Sequence, residues 1–296
     1  MYSRWYNVSV ILLWLASMSW LVTQKVLPPL LVGQPPSYRT ILAAQRPEPV
    51  GWGLMVNGRR VGWAISTSSS LATELTEIRS RVHFDEVPLR EMAEGLAGAV
   101  LQLIEQPLPK VQLDAQSTVT IDSLGRLLSF DSSVRLDPLD RPVRVRGAIE
   151  GSQMSVLVRF ADFTYKTEMS LPPNALLADA FSPQTQLPGL RAGQTWTVPS
   201  YNPLRPRDPL EILQATVERR EPVSWNGHTE DVWLVVYQSD PGAALGSRRA
   251  PRGRLWVRRD GTVLKQQIML FESSMTFVRL PDDEAAALAE TVGGRR

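Results

Sequence analysis

Only two histidines occur in the 296 residues, and each has carboxylates beside it. His83 is followed by Asp85 and Glu86, and His228 by Glu230 and Asp231. Imidazole with carboxylate is the raw material of metal ligation and of acid–base chemistry. Neither histidine has a second one at ligand spacing, and both fall on strand or hairpin edges. They read as exposed polar residues, with no metal expected. Serine chemistry needs an activated hydroxyl, and no Gly-x-Ser-x-Gly elbow is present. The hydroxyl run through Ser66, Thr67 and Ser70 reads as a strand end or turn. Asp282, Asp283 and Glu284 open a helix and do not face one another across a cleft. No glycine-rich phosphate loop occurs. The chain has no cysteine, which removes disulfides, thiolate ligands, cysteine nucleophiles and lipidation at a lipobox. No catalytic activity and no cofactor are expected.

Two constellations carry binding chemistry instead. Arg248, Arg249, Arg252, Arg254, Arg258 and Arg259 crowd one short stretch. They read either as an anion patch for lipid headgroups or an acidic glycan, or, more simply, as a solvated hairpin whose basic edge discourages aggregation. Six tryptophans lie beyond the N-terminal segment, at 52, 63, 196, 225, 233 and 256. Such residues line sugar sites and hydrophobic cavities, and they also fill β cores, which is the default here. The formal net charge of +2 gives no drive toward nucleic acid, and no zinc-finger or RNA-binding signature accompanies it.

Mostly strands must position these residues. Asn57-Gly58 between 52–56 and 61–66 predicts a hairpin with a type I′ turn. Asn226-Gly227 between 212–219 and 232–238 predicts another, and Asp260-Gly261 between 254–258 and 262–269 a third. Ser123-Leu124-Gly125 joins 111–121 to 126–136, and Glu150-Gly151-Ser152 joins 143–149 to 154–160. A long strand over 73–84 and a last one over 274–280 complete the set. One long helix is predicted over 88–105, where Leu89, Met92, Leu96, Ala99 and Leu103 recur at spacings of three and four. Shorter helices are predicted over 174–181, capped by Asn174, and over 282–290. Without βαβ alternation a parallel sheet is not expected.

The expected fold is therefore mainly β (α+β): a large curved antiparallel sheet, half-barrel-like, with one main helix on its concave face and a short C-terminal helix. Leu89, Met92, Leu96 and Leu103 would line a cavity under that helix. The sheet would occupy 51–296, with two candidate halves, 51–171 and 190–296, on either side of a proline-rich stretch.

The N-terminus has a different character. Residues 5–23 carry no charge and would span about 28 Å as a helix, near the thickness of a bilayer core. Trp5, Trp14 and Trp20 suit an anchor with interfacial aromatics, and Lys25 can snorkel. A cleaved signal peptide would have a shorter apolar core and a small-x-small site; the only candidate, near Ala16 to Ser19, is interrupted by Met18. The expectation is a transmembrane anchor over 1–27. Pro28 and Pro29 would end its helix, and a proline-rich stalk would follow over 28–50, stiffened by Pro35 and Pro36. The bulk of the chain is expected outside the cytoplasm, on the periplasmic side of the inner membrane.

Several phrases occur together: Asn57-Gly58-Arg59-Arg60-Val61-Gly62-Trp63, Leu171-Pro172-Pro173-Asn174, Leu190-Arg191-Ala192-Gly193-Gln194-Thr195-Trp196, and Trp256-Val257-Arg258-Arg259-Asp260-Gly261-Thr262-Val263. On these the chain resembles a broad group of bacterial envelope proteins whose sheets are similar to the half-barrel of the lipoprotein-carrier (LolA/LolB-like) superfamily. The resemblance covers about residues 50–280 and rests on turn phrases, so no functional residue is carried over. It implies a half-barrel whose apolar concave face holds a lipid-like ligand. Two functions follow as expectations: a membrane-anchored binding module for a hydrophobic envelope molecule, or an accessory subunit that contacts an inner-membrane protein partner of a transport or secretion complex.

Overall fold

The computed structural model describes residues 4–23, 35–45, 47–71, 74–87, 111–137, 141–170, 176–179, 181–201, 210–239, 251–270 and 273–293. Fifteen strands pair into one sheet. In chain order they are β1 (Val50–Val56), β2 (Arg59–Ser70), β3 (Thr76–Phe84), β4 (Leu113–Ile121), β5 (Leu127–Leu136), β6 (Val143–Glu150), β7 (Gln153–Phe160), β8 (Phe163–Ser170), β9 (Ala178–Asp179), β10 (Thr195–Tyr201), β11 (Leu210–Trp225), β12 (His228–Ser239), β13 (Pro251–Val257), β14 (Val263–Leu270) and β15 (Ser273–Arg279). Spatially they run from β8 down to β1, then from β15 down to β9. Two meanders thus join where β1 pairs antiparallel with β15. The short β9 pairs parallel with β10. The described helices are α1 (Arg4–Leu21), α2 (Tyr38–Ala44) and α3 (Asp282–Gly293).

The local chemistry explains most of the turns. Asn57 and Gly58 take φ of 50° and 77°, and Asn226 and Gly227 take 47° and 76°, as type I′ turns require. The third hairpin forms differently. Of its turn pair only Gly261 has positive φ, and Arg258 N–H closes on Thr262 O at 2.8 Å, so the loop is longer than two residues. Strand β8 follows an Ala161-Asp162 turn in which Ala161 takes φ of 50°. Alanine gives no turn signal, so this strand has no counterpart in the sequence reading. Helix α3 begins on Asp282, Asp283 and Glu284, which suits the helix dipole.

Three expectations are corrected. The helix predicted over 174–181 is not formed by its described residues: Ala178–Asp179 is β9, and Leu176, Leu177 and Phe181 are buried against the sheet. Burial of both edges of this segment overrides its helical propensity. Part of the stretch read as a stalk is helical and docked. In α2 the Ser37 cap and Thr40 hydrogen-bond reciprocally, and Tyr38 and Ile41 enter the core.

The third concerns the anchor. Helix α1 has 18 residues, about 27 Å, and no helix among the described residues is long and apolar enough to cross a membrane. Arg4, Asn7 and Ser9 dilute its first turns, and Ser17 and Ser19 its last. The predicted helix over 88–105, with Leu89, Met92, Leu96 and Leu103, lies outside the described residues, as does Lys25. The backbones flanking that stretch meet, with Val87 N–H on Val111 O at 2.8 Å.

Alternation along the strands builds two unequal faces. Residues opposite one another across the ladders, such as Trp52, Ala64, Val82 and Ala115, or Leu54 and Phe277, fall in one continuous buried cluster that also includes Val156 on β7 and Val198 on β10. The other face carries ion pairs such as Arg146–Asp131 and Arg219–Glu221. It also carries a smaller apolar cluster of Val232, Leu234, Val236, Trp256 and Leu264.

One segment, 176–187, runs across the inner face as a strap. Asp179 lies beside Tyr201 of β10 in the parallel ladder, while its Oδ2 is 3.2 Å from Ser132 Oγ on β5. Ten strand spacings separate β5 from β10, about 48 Å in a flat sheet. One aspartate reaches both, so the sheet curls around the strap. The attachment is a row of serines. Ser66, Ser80, Ser117 and Ser132 stand opposite one another across β2 to β5. All four are buried. Ser66 Oγ is 3.0 Å from Ser80 Oγ, which is 2.8 Å from Ser182 Oγ of the strap. Ser132 Oγ is also 3.0 Å from Ser117 Oγ. On the far side, Gln266 Oε1 accepts from Gln184 N–H at 2.8 Å, and Leu187 N–H donates to Gly261 O at 2.7 Å. These contacts give the strap's Asp179, Ser182, Gln184 and Leu187 hydrogen-bond partners on the sheet and so spare them the cost of an unmade bond.

Burial pushes the Asp179 carboxyl above the usual aspartate range, although hydrogen bonds from Phe181 N–H and the Ser117 and Ser132 hydroxyls pull it down. A folded-state value above the unfolded one gives stability that is complete below about pH 3.9 and is lost as pH rises through the folded value. Asp179→Asn cannot charge. Relative to the parent, its stability in urea melts should rise with pH above about 4. A constant difference from pH 4 to 8 would show that Asp179 does not titrate in this range. A second prediction concerns Gly147, where a Cβ would come 1.9 Å from the Phe130 ring. Gly147→Ala should cost about 1–3 kcal/mol by overpacking, read as a lower urea midpoint.

Candidate functional site

Between the strap and the inner face of β10–β14 lies a cavity of about 100 Å³. Its lining is mixed: Leu177 and Leu187 from the strap and Val198, Leu213, Leu255 and Ile268 from the strands are apolar, while Asp179, Ser182, Gln184, Gln266 and Gln267 are polar. A further polar group sits among them. Arg252 Nε is 3.1 Å from Glu211 Oε1 and 3.2 Å from Ser239 Oγ, and Ser239 donates to Glu211 at 2.7 Å. Tyr237 also lines the cavity, and burial pushes its phenol above the ordinary tyrosine range. Tyr38, below the strap, accepts a hydrogen bond from Leu177 N–H at 3.1 Å. Burial raises its phenol to about 12, against that hydrogen bond. Both phenols stay neutral at any physiological pH.

Arg252 reaches the cavity because of a bulge. The β12–β13 register shifts between Tyr237 and Gln238, which pair with Gly253 and Pro251. Arg252 is the extra residue, and a bulge re-aims its side chain. Gly253, next to it, keeps the cavity wall low.

A volume of 100 Å³ is about the share of three liquid waters, well below the several hundred Å³ that hold a drug-sized ligand. Among the described residues the cavity therefore takes a short apolar group with a polar end, not a whole acyl chain. The paired Arg252 and Glu211 present both donor and acceptor, so a hydroxyl, amide or acid end fits better than a bare anion.

The remaining predicted residues are distributed as follows. Arg248 and Arg249 lie outside the described residues. Arg254 Nη1 is 3.2 Å from Gln267 Oε1. Arg258 lies 3.6 Å from Glu230, and Arg259 lies 3.5 Å from Asp231. The four described arginines thus each meet an acceptor; Arg252 and Arg254 both line the cavity, and Arg252 pairs there with Glu211. His83 sits between two carboxylates, with Nδ1 3.2 Å from Asp114 and Nε2 3.5 Å from Asp85. Its ring lies 5.5 Å from that of Trp63. The two carboxylates approach opposite edges of the imidazole, an arrangement that holds the ring and does not chelate. His228 is opposite Trp225 at the hairpin tip, and its neighbours Glu230 and Asp231 are taken by arginines. Among the described residues no three His, Asp or Glu side chains converge as a metal site. Trp52, Trp196 and Trp256 are buried.

Sequence reasoning missed Asp179, Glu211, Tyr237 and the serine row. Asp179 does carry a signal, a lone acid in the apolar run from Leu176 to Phe181. The serines carry none, because each is an unremarkable hydroxyl until the register aligns them.

No protein-family model matches the chain, and no curated protein does. Solved structures do resemble it. A β-barrel-like protein of a domain of unknown function, DUF1849, from Brucella abortus aligns over 78% of this chain and 94% of its own, at 14% identity and a TM-score of 0.44. A DUF1089 family protein from Pseudomonas aeruginosa aligns over 70% and 89%, at 14% identity and a TM-score of 0.34. The hypothetical lipoprotein YmcC from Escherichia coli aligns over 80% and 88%, at 10% identity and a TM-score of 0.26. None of the three bears the name of the lipoprotein-carrier superfamily. At these scores they are distant likenesses in β architecture, and nothing of their chemistry transfers to this chain.

Proposed function

We propose that this chain is a membrane-attached, extracytoplasmic binding module, not an enzyme, that holds the end of a lipid-like envelope molecule. The observation that carries the reading is the cavity under the strap, where apolar side chains of strap and strands stand beside the Arg252–Glu211 pair and further polar groups. Apolar walls with a few placed polar groups are the general form of a ligand site. The likeness to the lipoprotein-carrier half-barrel belongs to the same proposal, as does a periplasmic setting at the inner membrane. Helix α1 supplies the attachment: Trp5, Trp14 and Trp20 are each more than half exposed, and an apolar helix surface of that kind is stable in contact with lipid.

A second reading, an accessory subunit of an inner-membrane complex, is favoured by β8. It is hydrogen-bonded on one side to β7 and ends the sheet order, and such an edge can accept a partner strand.

Native mass spectrometry of the full chain, purified gently in detergent from its own source, separates the two. A stoichiometric lipid-sized adduct is expected. Leu213→Phe, which fills the cavity, should remove that adduct while leaving a cooperative melt. A clean apo mass, or an adduct that survives the filling variant, would overturn the cavity reading and turn attention to β8.

A further inference from the structure

We infer that two copies of this chain pair antiparallel along β8, centred on Thr167, so that one sheet runs through both. The two ends of the sheet differ. At the β9 end the outermost strand has two residues, and β10 behind it carries Pro199. Short strands and proline both discourage edge pairing. At the other end β8 runs for eight residues without proline, and its ladder with β7 keeps one register throughout. It ends the sheet order, so its outer side is open among the described residues. A regular edge of that length is a template for another strand.

The residues of β8 point to a second copy as that strand. The Ala161-Asp162 turn closes on the Phe160–Phe163 pair, and in a two-residue hairpin that pair is a hydrogen-bonded one. Backbone groups then alternate along β8. Those of Phe163, Tyr165, Thr167 and Met169 turn to β7, and those of Thr164, Lys166, Glu168 and Ser170 turn outward. An antiparallel partner must set outward residues opposite outward residues. Near the middle of β8, symmetric pairing meets this when centred on Lys166, Thr167 or Glu168. Centring on Lys166 or Glu168 puts like charges face to face, which is destabilising. Centring on Thr167 puts Lys166 of each copy opposite Glu168 of the other. Within one copy the same two side chains neighbour each other at 3.0 Å and are both more than half exposed, so the four charges alternate in sign around the dyad. On the inner side this register sets Tyr165 of each copy opposite Met169 of the other. Both are half-buried against the core, which then continues across the dyad. The new ladder adds about eight backbone hydrogen bonds, and an isologous contact of this kind closes at two copies. The inference is independent of the cavity under the strap, and it competes with the accessory-subunit reading for the same edge.

Sedimentation of the full chain in detergent, over a range of protein concentrations, tests it. A monomer–dimer equilibrium is expected. Lys166→Glu and Glu168→Lys should each weaken the dimer about tenfold, because each sets like charges opposite one another. The two single variants, mixed, should dimerise with one another, and the double swap K166E/E168K should restore the parent behaviour. Association through α1 would not follow this charge pattern. The chain has no cysteine, so Thr167→Cys gives one thiol per chain. Mild oxidation should join two chains there, where opposite Cα atoms lie about 4.5 Å apart. It should not join Thr164→Cys, set about 20 Å from its counterpart. A monomer at every concentration would overturn the inference and leave β8 to a different protein. A dimer indifferent to both charge variants, or disulfides at both positions or at neither, would overturn it as well.

Discussion

A buried carboxylate ties the outer wings of this sheet together across its inner face, while the two meanders themselves join through the β1–β15 ladder. Asp179 belongs to the ladder of β10 through its backbone and to the serine row of β4 and β5 through its side chain. A fifteen-stranded sheet left open would expose its apolar face. With the strap tied at Asp179 and Ser182 on one wing and at Gln184 and Leu187 on the other, the inner face closes on itself. A hydrophobic effect alone would favour closure without fixing its geometry. The polar row fixes it, because serine hydroxyls and a carboxylate are satisfied in one register only.

The same strap creates the cavity. Apolar side chains from the strap and from β10–β14 approach but do not fill the space between them, and the bulge at Arg252 turns a cation inward beside Glu211. Both side chains of the pair keep partial contact with solvent, at 40% and 31% exposure for Arg252 and Glu211, so the pairing adds little to stability. The pair keeps the cavity close to neutral and gives it a polar end. The cavity depends on two departures from regular structure, an extra residue in β13 and an extended segment where a helix was predicted.

Helix α1 and the cavity are physically separate. Helix α1 touches none of the strands closely enough to be buried; its large side chains are exposed all round. Helix α2, by contrast, is fixed in the core by Tyr38 and Ile41. The part of the chain that folds on the sheet therefore includes α2 and does not begin at β1.

What the sequence determined by itself is local. Asn-Gly pairs set the tight hairpins, alternation set the strands, acidic residues set the start of α3, and an apolar run set α1. Each follows from backbone sterics or side-chain period within a few residues. Tertiary structure decided the rest. Residues 176–181 are extended because Asp179, Leu177 and Phe181 meet partners far away in the chain. Ala161 turns without a turn residue because β7 and β8 pair around it. Four scattered serines form one row, and Arg252 comes to lie beside Glu211, only once strands are in register. Long-range hydrogen bonds and a one-residue bulge have no periodic trace in sequence, so the site they build became visible only in the folded chain.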